Sequence, residues 1–457
     1  MANESTPDGA EEVSAIGAGE RFYAWRERKL IRWSIIIFLA TLALTALGTV
    51  ADWQGAKPVF PCWAKGEQRI SDPYGIAVAN IAISNGGKEK FSDSLEARAR
   101  DINESLFKQI SSGFAGEEGK VGVGRTCNQD VQSTREREAY LAKVLDELNG
   151  DIVVSMTLTP TGHHVKTDIE LAIGSNGEWN EAQELAGYYM LDGVTIEDSL
   201  EFKASILNAS VTELLSPYIE LLRAIASYAS SEYKAAIEVL DKVLTSSSAS
   251  SDLKKLAYVL KGNSQGRLGG PGSIDKAALA FKAALAVDKS YARAMLGLAE
   301  VDYQTGLSST RSGTVKCDGQ LTPQARSHLD AAVRTYEQVY SNAGGSGVPD
   351  VDVRAKYGIG RTYACMLLLG DSSKEEPAVK ALEYVTGRFE SDDTRSWLWT
   401  SASGAYGDLG MIYCRQGRRE DAIRSYKRAS DLAVDDVRRK NYDFALRTIG
   451  ADWQSCL

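Results

Sequence analysis

The stretch Tyr406-Gly407-Asp408-Leu409-Gly410-Met411-Ile412-Tyr413-Cys414-Arg415-Gln416-Gly417, continuing through Ala422 and Tyr426 to Ala429, decides the fold. Small residues at Gly410, Ala422 and Ala429 let two helices approach closely. Large ones at Tyr413 and Tyr426 fill the gaps between them, and Gly417 permits the tight turn that joins them. One such pair cannot bury its own apolar face, so the pattern predicts neighbouring pairs stacked along it.

Those neighbours are present upstream. Leu221 to Tyr228, followed by Tyr233, Ala236, Leu240 and Val243, reads as a first pair, and the chain is expected to become helical after Pro217. Gly262, Gly269, Ala277, Phe281 and Ala284 mark a second, with Gly270-Pro271-Gly272 enlarging its turn. Tyr291 to Gly306 opens a third, completed by Ala332, Tyr336 and Val339 after a loop from Leu307 to Pro323. Val353, Ile359-Gly360, Tyr363 and Phe389 outline a fourth, and Val437 to Trp453 reads as a capping helix. This recurrence resembles the tetratricopeptide repeat family over residues 206–457. The resemblance implies a groove, lined by the first helix of each pair, that receives a protein or peptide partner. Matching positions to the family pattern assigns Glu300, Tyr303, Tyr357, Arg361, Met411 and Arg415 to that groove. Arg361 and Arg415 on one concavity could hold an acidic segment by forked hydrogen bonds, or be paired with neighbouring carboxylates.

Ahead of the repeats the pattern changes. Ile76 to Ile83 is a β-type apolar run closed by Asn85-Gly86-Gly87, and residues 93–111 carry helical spacing. Lys120 to Arg125 is a short strand, Ala139 to Leu148 a helix, and Asp151 to Leu158 pairs as a hairpin with the alternating segment Val165 to Ile173. A further strand is expected around Tyr188–Ile196. This order predicts a small α/β domain with a mixed sheet within residues 53–205. The phrases Gly150-Asp151-Ile152-Val153-Val154-Ser155, Thr157-Leu158-Thr159-Pro160-Thr161-Gly162 and Glu184-Leu185-Ala186-Gly187-Tyr188-Tyr189 resemble the TolB amino-terminal-like domain. That resemblance implies a bacterial, envelope-associated protein.

The amino terminus sets the expected topology. Residues 1–32 form a polar tail ending in Arg21, Arg26, Arg28, Lys29 and Arg32; an uncharged apolar run from Trp33 to Ala51 follows, with Trp33 and Trp53 at its ends, and 33–52 is the expected transmembrane segment. Such a run is long enough to cross ~30 Å of hydrocarbon, and the basic cluster on one side predicts a cytoplasmic tail with an exported remainder. A cleaved signal peptide and a buried helix are the competing readings. The six cysteines, Cys62, Cys127, Cys317, Cys365, Cys414 and Cys456, all follow this run. Their spacing fits no zinc site, so disulfides are expected; Cys62–Cys127, Cys317–Cys365 and Cys414–Cys456 are the favoured pairings, with free buried thiols as the alternative.

The fold class is thus α+β and multi-domain: a transmembrane helix, a small mixed-sheet domain, then an α-helical solenoid. Catalysis finds no support. His163-His164 sits on a hairpin where adjacent rings point to opposite faces, and His328 has no second ligand one turn on. Gly122-Val123-Gly124 lacks a third glycine, while Gly358 and Gly360 coincide with helix-contact positions. A net charge of −9, with no dense basic block after Arg32, argues against nucleic-acid binding. No cofactor or metal is expected. The reading is a non-catalytic, membrane-anchored scaffold or sensor, with a transmembrane subunit gating a separate enzyme as the alternative; homo-oligomerisation is compatible with both.

Overall fold

The computed structural model describes residues 70–451 apart from 71–73, 85–92, 117–120, 127–131, 134–136, 149, 162–163, 175–184, 194, 198–203, 311–316, 346–347, 349, 392–397 and 434–435. The expected membrane segment 33–52, the tail 1–32, Cys62, Cys127, Cys456 and His163 all lie outside the described residues. Among the described residues no helix is long and apolar enough to cross a membrane.

The first part is a mixed sheet. Strands β1 (Tyr74–Val78), β2 (Ala82–Ile83), β3 (Val121–Arg125) and β4 (Gln132–Ser133) are short, whereas β5 (Ile152–Thr161) and β6 (His164–Ile173) form a long hairpin extended by β7 (Gly187–Leu191) and β8 (Thr195–Glu197). β5 pairs in parallel with β1, Ile76 opposite Ile152, and further along with β2, Ala82 opposite Thr157. β3 and β4 lie parallel outside them. On the other edge of β5 the hairpin is antiparallel, and β7 and β8 pair antiparallel with β6. The apolar run read as one strand is therefore broken at Ala79–Ile81, where Asn80 turns its carbonyl to side chains rather than to the ladder.

Both faces of this sheet are covered. Helix α1 (Asp93–Gly113) buries Ile102, Leu106 and Ile110 against Ile76, Val78, Val154 and Met156, while α2 (Arg137–Leu148) buries Leu141 and Val144 against Ala77, Val153 and Ala172. The alternate positions of β5 and β6 are thus buried too, and the polar ones among them must find partners. Arg137, at the start of α2, donates from Nε to Glu170 at 2.7 Å and from Nη2 to the Asn80 carbonyl at 2.6 Å and to Ser155. The other Glu170 oxygen accepts from Thr157 and from Tyr188, each at 2.8 Å. Glu170 is fully buried and Arg137 nearly so.

The helices that follow form five antiparallel pairs: α3 (Ala204–Ala229) with α4 (Tyr233–Thr245), α5 (Ser251–Leu268) with α6 (Ser273–Val287), α7 (Ala292–Ser308) with α8 (Pro323–Ser341), α9 (Val351–Leu368) with α10 (Glu375–Ser391), and α11 (Trp399–Arg415) with α12 (Arg419–Asp431). Helix α13 (Asp436–Ala451) packs on the end. The turn after α11 reverses the chain at Gly417, φ +75°, with the Arg418 amide bonded to the Tyr413 carbonyl at 2.9 Å. Ideal Cβ atoms on Gly410 and Gly360 would lie 2.9 Å from Tyr426 and 2.7 Å from Leu382, so only glycine admits these helix contacts.

Helix α3 starts earlier than the sequence predicts and runs through Pro217. An interior proline costs a helix about 3 kcal/mol. Burial of Leu215, Tyr218, Leu221, Leu222 and Ile225 outweighs it, because these side chains share one core with α1 and the sheet. Arg223 donates to the Gly113 carbonyl at 3.1 Å, and Arg293, on α7, to that of Ala186 at 3.0 Å. Cys317, in the α7–α8 loop, is disulfide-bonded to Cys365 on α9 across a Cα separation of 5.2 Å. Cys414 is also disulfide-bonded.

Candidate functional site

Consecutive first helices touch one another: α3 meets α5, α5 meets α7, α7 meets α9 and α9 meets α11. They make a continuous inner layer, and the residues assigned to a groove all lie on it. Its centre is Arg361 on α9. The guanidinium forms an ion pair with Glu300 of α7 and donates to the Tyr336 hydroxyl at 3.1 Å; that hydroxyl donates to Glu300 at 3.2 Å. The Arg361 Cζ stands 4.4 Å from the ring centre of Tyr303 and 5.5 Å from that of Tyr357. Arg361 is therefore a strut joining two repeats, its charge neutralised within the array. Of the arginines named as joint anion ligands, only Arg415 is exposed and without an ion pair among the described residues. Met411 is half-buried one turn before it.

Asp408 shares this face of α11, since positions 404, 408, 411 and 415 recur at helical spacing. Its half-buried carboxylate has no hydrogen bond or ion pair among the described residues. Burial pushes its pKa up to about 7, opposed by the nearby Arg361. Sequence reasoning passed over Asp408, although its place three residues before Met411 puts it on the same face. Gly404 lies against the Tyr357 hydroxyl, and a Cβ on Gly407 would meet the Tyr442 ring at 2.5 Å. Two tyrosines can thus lie directly on the α11 backbone in the turn that leads to Asp408.

A raised carboxylate pKa means that the folded protein holds its proton more tightly than the unfolded chain. Stability is then greatest at low pH and falls as pH climbs from the unfolded pKa near 4 to about 7. Asp408→Asn should raise the melting temperature relative to wild type at pH 8, with the difference vanishing near pH 4. Parallel melting curves at both pH values check this; a lower melting temperature at pH 8 would refute it.

His328 lies on α8 with Nδ1 3.2 Å from Asp302 of α7, a surface contact between paired helices. His164, exposed, begins β6. Among the described residues no group of three His, Cys, Asp or Glu is placed to hold a metal ion.

Residues 405–440, spanning α11, α12 and the start of α13, match the family model for the tetratricopeptide repeat. The last helical pair is therefore a tetratricopeptide repeat within a stacked helical array. No curated protein matches the chain. Among solved structures, a thermophilic tetratricopeptide-repeat protein of Thermus thermophilus aligns at 18% identity over 50% of this chain and 99% of its own, with a TM-score of 0.35. The tetratricopeptide-repeat domain of P58(IPK) aligns at 18% identity over 54% of this chain and 68% of its own, with a TM-score of 0.19.

Proposed function

We propose that the inner layer of first helices receives an extended segment of a protein partner, and that the chain serves as a non-catalytic scaffold or sensor. One observation carries the reading. Arg361 of α9 stacks on Tyr303 of α7 and on Tyr357, and Asp408, Met411 and Arg415 share one face of the adjoining α11, so aromatic, apolar and charged groups lie along the same inner layer. Tetratricopeptide repeats generally mediate protein–protein interaction, in keeping with such a face.

Residues 33–52 anchor this scaffold in a bacterial inner membrane, with the tail 1–32 cytoplasmic, the remainder periplasmic, and the mixed-sheet domain TolB-like. The disulfide Cys317–Cys365 supports an oxidising compartment for the helical array.

The test is site-specific photocrosslinking of the intact protein in membranes. A photoreactive residue at Met411 should capture a discrete protein adduct, while one at Lys427, exposed on α12, should not. Equal capture from both positions, or none from Met411, would remove the groove as the binding face.

A further inference from the structure

Among the described residues of the α7–α9–α11 face, Asp408 is a carboxylate with no hydrogen bond or ion pair, and Arg361, the cation that acts on it, is already paired with Glu300. Around it stand Tyr303 on α7, Tyr357 and Arg361 on α9, and Tyr426 on α12, each close enough to interact electrostatically with its charge. Tyr442 and Arg438 of α13 act electrostatically on Tyr357. Arg361, the nearest cation, forms its ion pair with Glu300 and stacks between Tyr303 and Tyr357. With Asp408 ionised, Glu300, Arg361 and Asp408 together carry one excess negative charge.

A half-buried carboxylate without a partner is costly to keep. Glycines at 404 and 407 keep the helix backbone beside it free of side chains, so the site is built of a carboxylate, tyrosine rings, backbone and the Arg361 guanidinium that Glu300 already neutralises. Tyrosine rings and a carboxylate both favour a cation, and neither favours an anion.

We propose that Asp408 and the surrounding tyrosines form a subsite for a lysine or arginine side chain of the bound partner segment. This rests on the groove reading above and sharpens it: the partner is a peptide segment with at least one basic residue, not the acidic one that two arginines would select. The cation forms a charge-assisted hydrogen bond to Asp408, restores neutrality to the cluster, and lays its aliphatic stem on the rings.

The test selects random decapeptides displayed on phage against the full-length chain purified in detergent. A lysine or arginine should dominate one position of the enriched peptides. A synthetic selected peptide should bind Asp408→Asn about tenfold or more weakly, as expected for losing a hydrogen bond to a charged group. Replacing its basic residue with norleucine should produce the same loss, and the two losses should not add. Wild-type affinity should fall as pH drops from 8.5 to 5.5 and Asp408 takes up its proton, a dependence that Asp408→Asn abolishes. Lys427→Ala, on the outer helix, should leave binding unchanged, and circular dichroism of Asp408→Asn should match wild type. If selected peptides bind at the groove without a basic residue, or ignore Asp408→Asn, the subsite is overturned while the groove stands. If no peptide is selected, both fall.

Discussion

Arg137→Met destabilises the mixed-sheet domain by about 3–5 kcal/mol, the cost of stranding a buried charge. Glu170 is fully buried between β5 and β7, and Arg137 is its only cationic partner among the described residues. Thr157 and Tyr188 would still donate to one oxygen, but neither neutralises the charge. The control is Arg137→Met with Glu170→Gln, which removes both charges and keeps an acceptor for Thr157 and Tyr188. That double variant should recover roughly half or more of the loss, because the penalty lies in the unpaired charge rather than in the missing pair. Hydrogen exchange at β5 and β6 amides reads the effect, with the single variant exchanging roughly a few hundredfold to a few thousandfold faster. A double variant no better than the single one would show that the cluster acts by shape instead.

Cys317→Ser removes the bridge across a sequence separation of 48, and the chain-entropy model puts the loss at about 4 kcal/mol. The bond joins the long α7–α8 loop to the buried last turn of α9, next to Tyr303, whose hydroxyl lies 3.5 Å from Cys317 Sγ. Melting of the helical array should fall by on the order of 10 °C. Groove binding should weaken with it, since Tyr303 loses a neighbour that fixes its ring beneath Arg361. A melting temperature unchanged within experimental scatter would mean that the loop is already held by packing alone.

The contrast between these residues explains what could be read from the sequence. The helical pair from Tyr406 to Ala429 was legible because its complementary small and large residues fall within one short segment and touch each other there. Glu170 was not. Its neighbours Ile169 and Leu171 alternate in a way that assigns position 170 to a wet face, and only the docking of α2 on that face makes it interior. Its partner Arg137 is 33 residues away, with nothing local to join them. Arg361 was legible as a residue of the inner face but not as a strut, because Glu300 and Tyr336 come from two other helices. Pro217 concealed the first half of α3, since a local helix-breaking signal was overridden by burial against elements a hundred residues upstream. Sequence patterns report contacts made nearby, and the contacts that couple separate elements stay silent in them.

Helix α3 has a mechanical meaning beyond its place in the stack. It is the first rod of the solenoid and also a wall of the sheet's core, so one set of buried side chains belongs to both. A pull on cargo held against α9 or α11 would travel along the stacked helices into α3 and reach the sheet through the shared core, with Arg223 and Arg293 as the rivets. Load taken on the array is thereby borne by the core of the sheet as well.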